Sequence, residues 1–184
     1  MASNYVLDMR IVLLRHAKSS WDNPGLRDHD RPLAERGLRA APAIGRYFAG
    51  SDLRIDRIVS STAERAWATA RLFRDAFDAQ ISLTRRRDLY HADSSSLLRI
   101  ALEEAGGNDK ASIVLVAHNP GMHDLAVRLC GEGEPSQLAR LQVKFPTAAL
   151  AEFDLSIKAT MDARQGAGRL LRYVRPKDLP GAGG

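Results

Sequence analysis

Ile11-Val12-Leu13-Leu14-Arg15-His16-Ala17 begins with four consecutive apolar residues and continues into a cation and an imidazole. An unbroken apolar run of this length is the mark of a strand buried on both faces. Ser112-Ile113-Val114-Leu115-Val116-Ala117 is a second such run, and His118-Asn119-Pro120 follows it directly. Two doubly buried strands that both end in histidine set the frame in which the rest of the chain is read.

Between them the pattern alternates. A polar loop from Lys18 to Arg31, with Pro24-Gly25 as its turn signal, leads to Pro32, after which the spacing predicts a helix to about Ala49. Pro42 lies inside that stretch and is expected to kink or split it. A short strand is expected over Asp56 to Ser60, a helix over Ala63 to Phe77, and a third short strand over Ile81 to Leu83. Arg85 to Asp93 reads as a loop. Ser94 or Ser95 is the expected cap of a helix reaching about Ala105, stopped by Gly106-Gly107-Asn108. Pro120 opens a further helix over Gly121 to Cys130, which places Cys130 in an apolar core. After Pro135 the pattern becomes strand-like, at Ala148 to Leu155 and Arg169 to Val174, joined around Asp162 to Gly168. Strands alternating with helices predict an α/β fold. The expected form is a three-layer α/β/α sandwich on a mostly parallel sheet, closed by an antiparallel pair.

The composition agrees with that frame. The chain has 184 residues, 45% hydrophobic and 27% charged, which argues for a single domain over 1–184 with a real core. Residues 1–8 and 180–184 are expected to be ragged ends. One cysteine excludes a disulfide framework and a multi-thiolate metal site, so a reducing, cytoplasmic home is the expectation. No stretch is long and apolar enough for a membrane span, and the start carries no secretory pattern. The net charge of +5 and isoelectric point of 9.7 fit anionic partners. The densest basic run, Arg85-Arg86-Arg87, lacks aromatic neighbours in sequence and reads as a solvated loop rather than a nucleic-acid site.

In folds of this class the working residues lie just past the carboxyl ends of the strands. Arg15-His16 stands at the first such end. Ser60-Ser61 stands at the second and opens a helix carrying Arg65, and His118-Asn119 stands at the fourth. Arginine offers a planar fork of donors matched to phosphate oxygens. A neutral imidazole can attack phosphorus while a second one donates to the oxygens. Each residue also has a plainer reading: a surface pair at a strand end, a solvated helix arginine, a satisfied core histidine. A metal site from His118, His123 and Asp124 is disfavoured, because a spacing of five puts the two imidazoles off one helical face.

Taken together the three segments resemble the histidine phosphatase superfamily, which includes cofactor-dependent phosphoglycerate mutase. Leu14-Arg15-His16-Ala17 is similar to its Arg-His-Gly signature. Ser60-Ser61-Thr62-Ala63-Glu64-Arg65-Ala66, with Thr69-Ala70, is similar to its second motif, and Val116-Ala117-His118-Asn119 to its third. Within the superfamily the chain looks most like the small SixA-like phosphohistidine phosphatases. Arg31-Pro32-Leu33 with Gly37, Phe145-Pro146-Thr147, and Pro176-Lys177-Asp178-Leu179 carry that likeness.

The resemblance implies a phosphoglycerate mutase-like fold and a metal-independent phosphatase with a phosphohistidine intermediate. His16 would be the nucleophile, Arg15 and Arg65 the phosphoryl clamp, and His118 a donor to the phosphoryl oxygens. No cofactor and no metal are implied, since the guanidiniums supply the positive charge. Lys18, Ser19, Asp30, Arg31 and Asn119 would support the site, with Asp30 and Arg31 bracing the loop as an ion pair. Trp21 would flank the crevice.

The chain departs from the family at three points. Ala17 replaces the glycine after the nucleophile, which is tolerated at negative φ. Thr62 stands where proline often sits. The mutase-like glutamate that protonates an alkoxide is missing, and the matching stretch reads Leu89-Tyr90-His91, flanked by Asp88 and Asp93. Either His91 (less readily Asp93) is the acid, or none is needed because an imidazole leaving group has a pKa near neutrality. The expected partner is a phosphorylated protein of the histidine-phosphotransfer type. The alternatives are a small phosphoester, or a non-catalytic phosphate- or nucleic-acid-binding protein on the same fold.

Overall fold

The computed structural model describes residues 6–108, 110–158 and 165–180. Its centre is a seven-stranded sheet of order β3-β2-β4-β1-β6-β7-β5. The strands are β1 Val6–Arg15, β2 Arg57–Ser61, β3 Ser82–Arg86, β4 Ser112–Ala117, β5 Cys130–Gly133, β6 Leu150–Lys158 and β7 Gly168–Val174. β6 is antiparallel to both its neighbours and every other pairing is parallel, so six strands run one way and one runs against them. The helices are α1 Glu35–Ala49, α2 Glu64–Phe77, α3 Ser94–Ala105, α4 Gly121–Leu129 and α5 Pro135–Val143.

β1 shows why its sequence is apolar without alternation. Met9, Ile11 and Leu13 face one way and pack with Ile113 and Leu115 against Leu97, Ile100, Leu125 and Leu129 of α3 and α4. Val12 and Leu14 face the other way and pack with Val114 and Val116 against Ile44, Phe48, Ala66 and Phe73 of α1 and α2. Both faces are covered, and each such side chain contributes about 1.5–3 kcal/mol by leaving water. The three-layer arrangement on a mostly parallel sheet follows.

Several expectations are corrected. β1 starts at Val6, so Val6–Asp8 belong to the sheet rather than to a ragged end, and pair with β6. Residues 1–5 and 181–184 of the expected ragged ends lie outside the described residues, as do 162–164 of the expected β6–β7 connection. Pro42 does not split α1, which runs through it for 15 residues. The amide donor that Pro42 lacks would have served the Leu38 carbonyl. Leu38 is half exposed, on the side where solvent can take that place. Asp93, not Ser94 or Ser95, caps α3 by accepting from the Ser96 amide at 2.7 Å.

β3 extends to Arg86, so the basic run is not simply a solvated loop. The Arg85 guanidinium lies 3.9 Å over the Trp67 ring, and Arg86 binds Asp88, Glu103 and Glu104. Cys130 leaves α4 and opens β5, half-buried. β5 and α5 were not anticipated.

Two close approaches hold the loops around the strand ends. A Cβ on Gly37 would lie 2.2 Å from the Lys18 carbonyl oxygen, so the start of α1 sits directly on the segment leaving β1. The Ala34 amide donates to that same carbonyl at 2.8 Å, and Ser20 to Pro32 at 2.9 Å, closing the 18–33 loop at its neck. A Cβ on Gly121 would meet the Ala92 carbonyl at 2.0 Å, which presses the start of α4 against the loop carrying His91. Only glycine fits at either contact.

Candidate active site

The carboxyl ends of β1, β2 and β4 meet in one cavity of about 310 Å³, lined by Arg15, His16, Lys18, Ser19, Trp21, Asp28, Arg31, Arg65, His91, His118, Asn119 and Thr147. Of the residues expected there, Asp93, the less favoured acid, lies elsewhere as the cap of α3, and so does Asp30. Asp30 is half-exposed and pairs with Arg27 and His29, and the ion pair expected with Arg31 is not formed. Arg31 binds Asp28 instead.

His16 is buried, and its Nδ1 lies 2.7 Å from the Ala17 carbonyl oxygen. A carbonyl only accepts, so Nδ1 carries the proton and the lone pair is left on Nε2. Burial pushes the pKa of His16 down to about 3, with the Ala17 carbonyl opposing and Arg65, Arg15 and Arg31 adding to the fall. The ring is therefore neutral at pH 7. The Ala17 amide donates to Thr69 Oγ1 at 2.9 Å, and Thr69 Oγ1 donates to the Arg65 carbonyl at 2.6 Å. The residue after His16 is thereby tied to α2. Among the described residues, positive φ outside glycine occurs at His91 and Ala148 and not at Ala17, so alanine stands there without strain.

His118 lies with its ring centroid 5.0 Å from that of His16. Its Nε2 is 2.9 Å from Ser61 Oγ, which already accepts from the Ala63 amide. With the Ser61 proton turned to Nε2, the His118 proton sits on Nδ1. Burial, with His16 and Arg65 adding to the fall, lowers the pKa of His118 to about 2.

Arg15 Nη1 donates to the Phe145 carbonyl at 2.8 Å, and Asn119 Nδ2 donates to the same oxygen at 3.1 Å. Burial lowers the pKa of Arg15. Arg65 Nη1 and Nη2 donate to the Asp28 carbonyl at 2.5 Å and to Asp28 Oδ2 at 2.9 Å. Among the described residues, four buried side-chain polar atoms have no partner: Arg15 Nε, Arg65 Nε, His118 Nδ1 and Asn119 Oδ1. All four belong to residues of this one cavity. Leaving such groups unmet is costly, and native interiors rarely do so outside a site that awaits a ligand.

Among the described residues, the lining carries four fixed cations, Arg15, Lys18, Arg31 and Arg65, against one carboxylate, Asp28. Burial would raise the pKa of Asp28, but donors from Tyr90, Arg65 and Arg31 outweigh it and hold the carboxyl well below the usual range. The cavity thus gathers an excess of positive charge around a neutral imidazole, an arrangement suited to an anion. His91 reaches the rim with φ 57, and its ring lies 6.0 Å from that of His118. Trp21 does flank the cavity, 68% exposed, with the Arg31 guanidinium 3.6 Å over its ring. Asp28 and Tyr90 were missed from the sequence. The acidic–basic cluster Asp28-His29-Asp30-Arg31 was the available signal for Asp28. His123 stands apart, with Nε2 2.8 Å from the Leu141 carbonyl. Among the described residues, no group of three or more His, Cys, Asp or Glu side chains is arranged to hold a metal ion, and no helix is long and apolar enough to cross a membrane.

Known proteins are similar to this chain in sequence and in fold. The family model for the histidine phosphatase superfamily, branch 1, matches residues 11–93. An uncharacterized protein of Mycobacterium leprae, ML1117, is 32% identical over 78% of this chain and 88% of its own length. Rv1276c of Mycobacterium tuberculosis, also uncharacterized, is 34% identical over 75% and 84%. The crystal structure of a candidate phosphohistidine phosphatase SixA from Agrobacterium tumefaciens is 33% identical, with a TM-score of 0.74 over 92% of this chain and 99% of that one. The protein histidine phosphatase SixA complexed with tungstate shares the fold at 22% identity, with a TM-score of 0.71 over 91% and 97%. By sequence and fold together, this chain belongs to the histidine phosphatase superfamily.

Proposed function

We propose that the protein is a metal-independent phosphatase that works through a phosphohistidine at His16. The observation that carries this reading is the cavity itself. Unpartnered nitrogens of two guanidiniums and one imidazole surround a neutral His16 whose tautomer leaves Nε2 free. The family and its SixA-like neighbours support a phosphatase.

In the first step His16 Nε2 attacks phosphorus, the bond to the leaving atom breaks, and that atom departs with its electron pair. Arg15, Arg65 and His118 meet the charge spread over the equatorial oxygens. In the second step water attacks phosphorus and orthophosphate is released. The electron pair of the P–N bond returns to Nε2, and the water proton goes to the phosphate.

The substrate favoured is a phosphohistidine on a signalling protein of the histidine-phosphotransfer type, in the cytoplasm. Its leaving imidazole needs no strong acid, which suits a cavity with no glutamate in its lining. The exposed rim of Lys18, Trp21 and His91 suits a protein surface. The 33% identical SixA candidate supports the same class. One observation favours a small phosphomonoester instead: His91 lines the cavity and could protonate an alkoxide.

The test is phosphate release from a phosphohistidine-bearing transfer domain, with a sugar phosphate alongside, in EDTA, for wild type and His16→Ala. Release from the protein by wild type alone supports the proposal. Turnover of the ester alone moves the assignment to metabolites and makes His91→Ala the next variant. Phosphate binding without any turnover would leave a non-catalytic phosphate binder.

A further inference from the structure

Among the described residues, Asp28 is the one carboxylate lining a cavity rich in cations. Its four acceptor positions are all taken. Oδ1 accepts from Arg31 Nε at 3.1 Å and Nη2 at 2.9 Å, and Oδ2 accepts from Arg65 Nη2 at 2.9 Å and the Tyr90 hydroxyl at 2.8 Å. A carboxylate has about four such positions. None is left for a substrate, so Asp28 is not a ligand-binding group. Its backbone oxygen takes Arg65 Nη1 as well. The buried Arg65 guanidinium, 4% exposed, therefore spends both terminal nitrogens on a single residue and keeps Nε unpartnered.

We propose that Asp28 is a positioning residue for the phosphoryl-binding Arg65, locking the guanidinium plane and tying it to the loop that follows His16. The tie is continuous. Arg31, on the far side of the carboxylate, donates through Nη1 to Ser19 Oγ at 2.9 Å and to the Ser20 carbonyl at 3.1 Å. Among the described residues, this long, buried cationic side chain on the first turn of α2 has no other carboxylate to fix it in this cavity. The inference rests on reading the cavity as a phosphoryl site, but not on which phosphorylated molecule it serves.

The test is a double-mutant cycle read by calorimetric binding of orthophosphate to the full chain. The set is wild type, Asp28→Asn, Arg65→Ala and the double variant. Asp28→Asn is expected to weaken phosphate on the order of tenfold, and the double variant to bind no more weakly than Arg65→Ala alone. The Arg65 guanidinium resonances should be sharp in wild type and averaged in Asp28→Asn, a change that a general loss of stability would not confine to one side chain. Asp28→Glu keeps the charge, should recover part of the affinity, and serves the same cycle if the amide variant fails to fold. Losses that multiply, or tighter phosphate in Asp28→Asn, would overturn the proposal, the latter by making Asp28 a competitor for Arg65. Phosphate binding with no release from phosphohistidine would sink the substrate reading and leave this one standing. Failure of wild type to bind phosphate would sink both.

Discussion

Glu152, in the middle of β6, is as deeply buried as any charge in the cavity, at 0% exposure, yet both of its oxygens are met. Arg10 Nη1 reaches Oε1 at 3.2 Å and Arg172 Nε reaches Oε2 at 2.6 Å. The same two arginines continue outward to Asp154 and Asp52. Around His16 the balance is reversed. Among the described residues, guanidiniums there outnumber carboxylates, and four buried polar atoms have no partner. Both clusters border β1, within one sheet. The lesson is that buried charge alone says little about function. A saturated cluster is architecture, and an unsaturated one with an excess of one sign is the candidate for a ligand site.

That contrast can be broken in several ways. His16→Ala should cost about ten-thousandfold or more in phosphatase activity, the scale seen when a covalent nucleophile is removed, with the melting curve little changed. Glu152→Ala should do the opposite. It removes the buried partner of Arg10 and Arg172, which keep Asp154 and Asp52, and should destabilise the fold by about 1–3 kcal/mol in denaturant titration, with phosphate affinity of the folded protein kept. Orthophosphate at about a hundred times its dissociation constant should stabilise wild type by about 2.7 kcal/mol, and Glu152→Ala by the same increment, but Arg65→Ala by far less.

The smallest effect per group is on acid stability. His16 and His118 titrate near 3 and 2 when folded, against 6.5 in an unfolded chain, so the unfolded state binds more protons between those values. Their contribution is complete above pH 6.5 and is lost as pH falls towards 3. The loss should reach up to about 2 kcal/mol per ring by pH 5 in phosphate-free melts. Retention of full stability at pH 5 would show that the rings are not buried neutral.

The sequence was most legible where packing is symmetrical. β1 and β4 are covered on both faces, and their apolar runs say so; Arg15, His16 and His118 follow because they are contiguous with those runs. Arg65 needed its motif, since nothing in its spacing separates it from a solvated helix arginine. Asp28 and Asp30 were not separable in the sequence, because the partner that distinguishes them lies 37 residues away in α2. β5, Cys-Gly-Glu-Gly, has no strand-like composition and exists by pairing with β7. α5 carries Pro135 at its start and a Glu134 carboxylate accepting from Ser136 and Gln137, but buries only Leu141, so its periodicity is faint. Pro42 misled in the other direction, because one missing donor on an exposed helix side costs less than ending a helix that buries Ile44 and Phe48.

The two tryptophans give the molecule a spectroscopic asymmetry. Trp21 looks into solvent at the mouth of the cavity with a guanidinium against one face, while Trp67 lies under Arg85 on α2, away from it. An excited indole in water emits to the red and is open to collisional quenchers; a half-buried one is shielded. Iodide therefore reads Trp21 in preference to Trp67. The rim of the site thus carries its own optical label, and occupancy can be followed in the native chain without a dye.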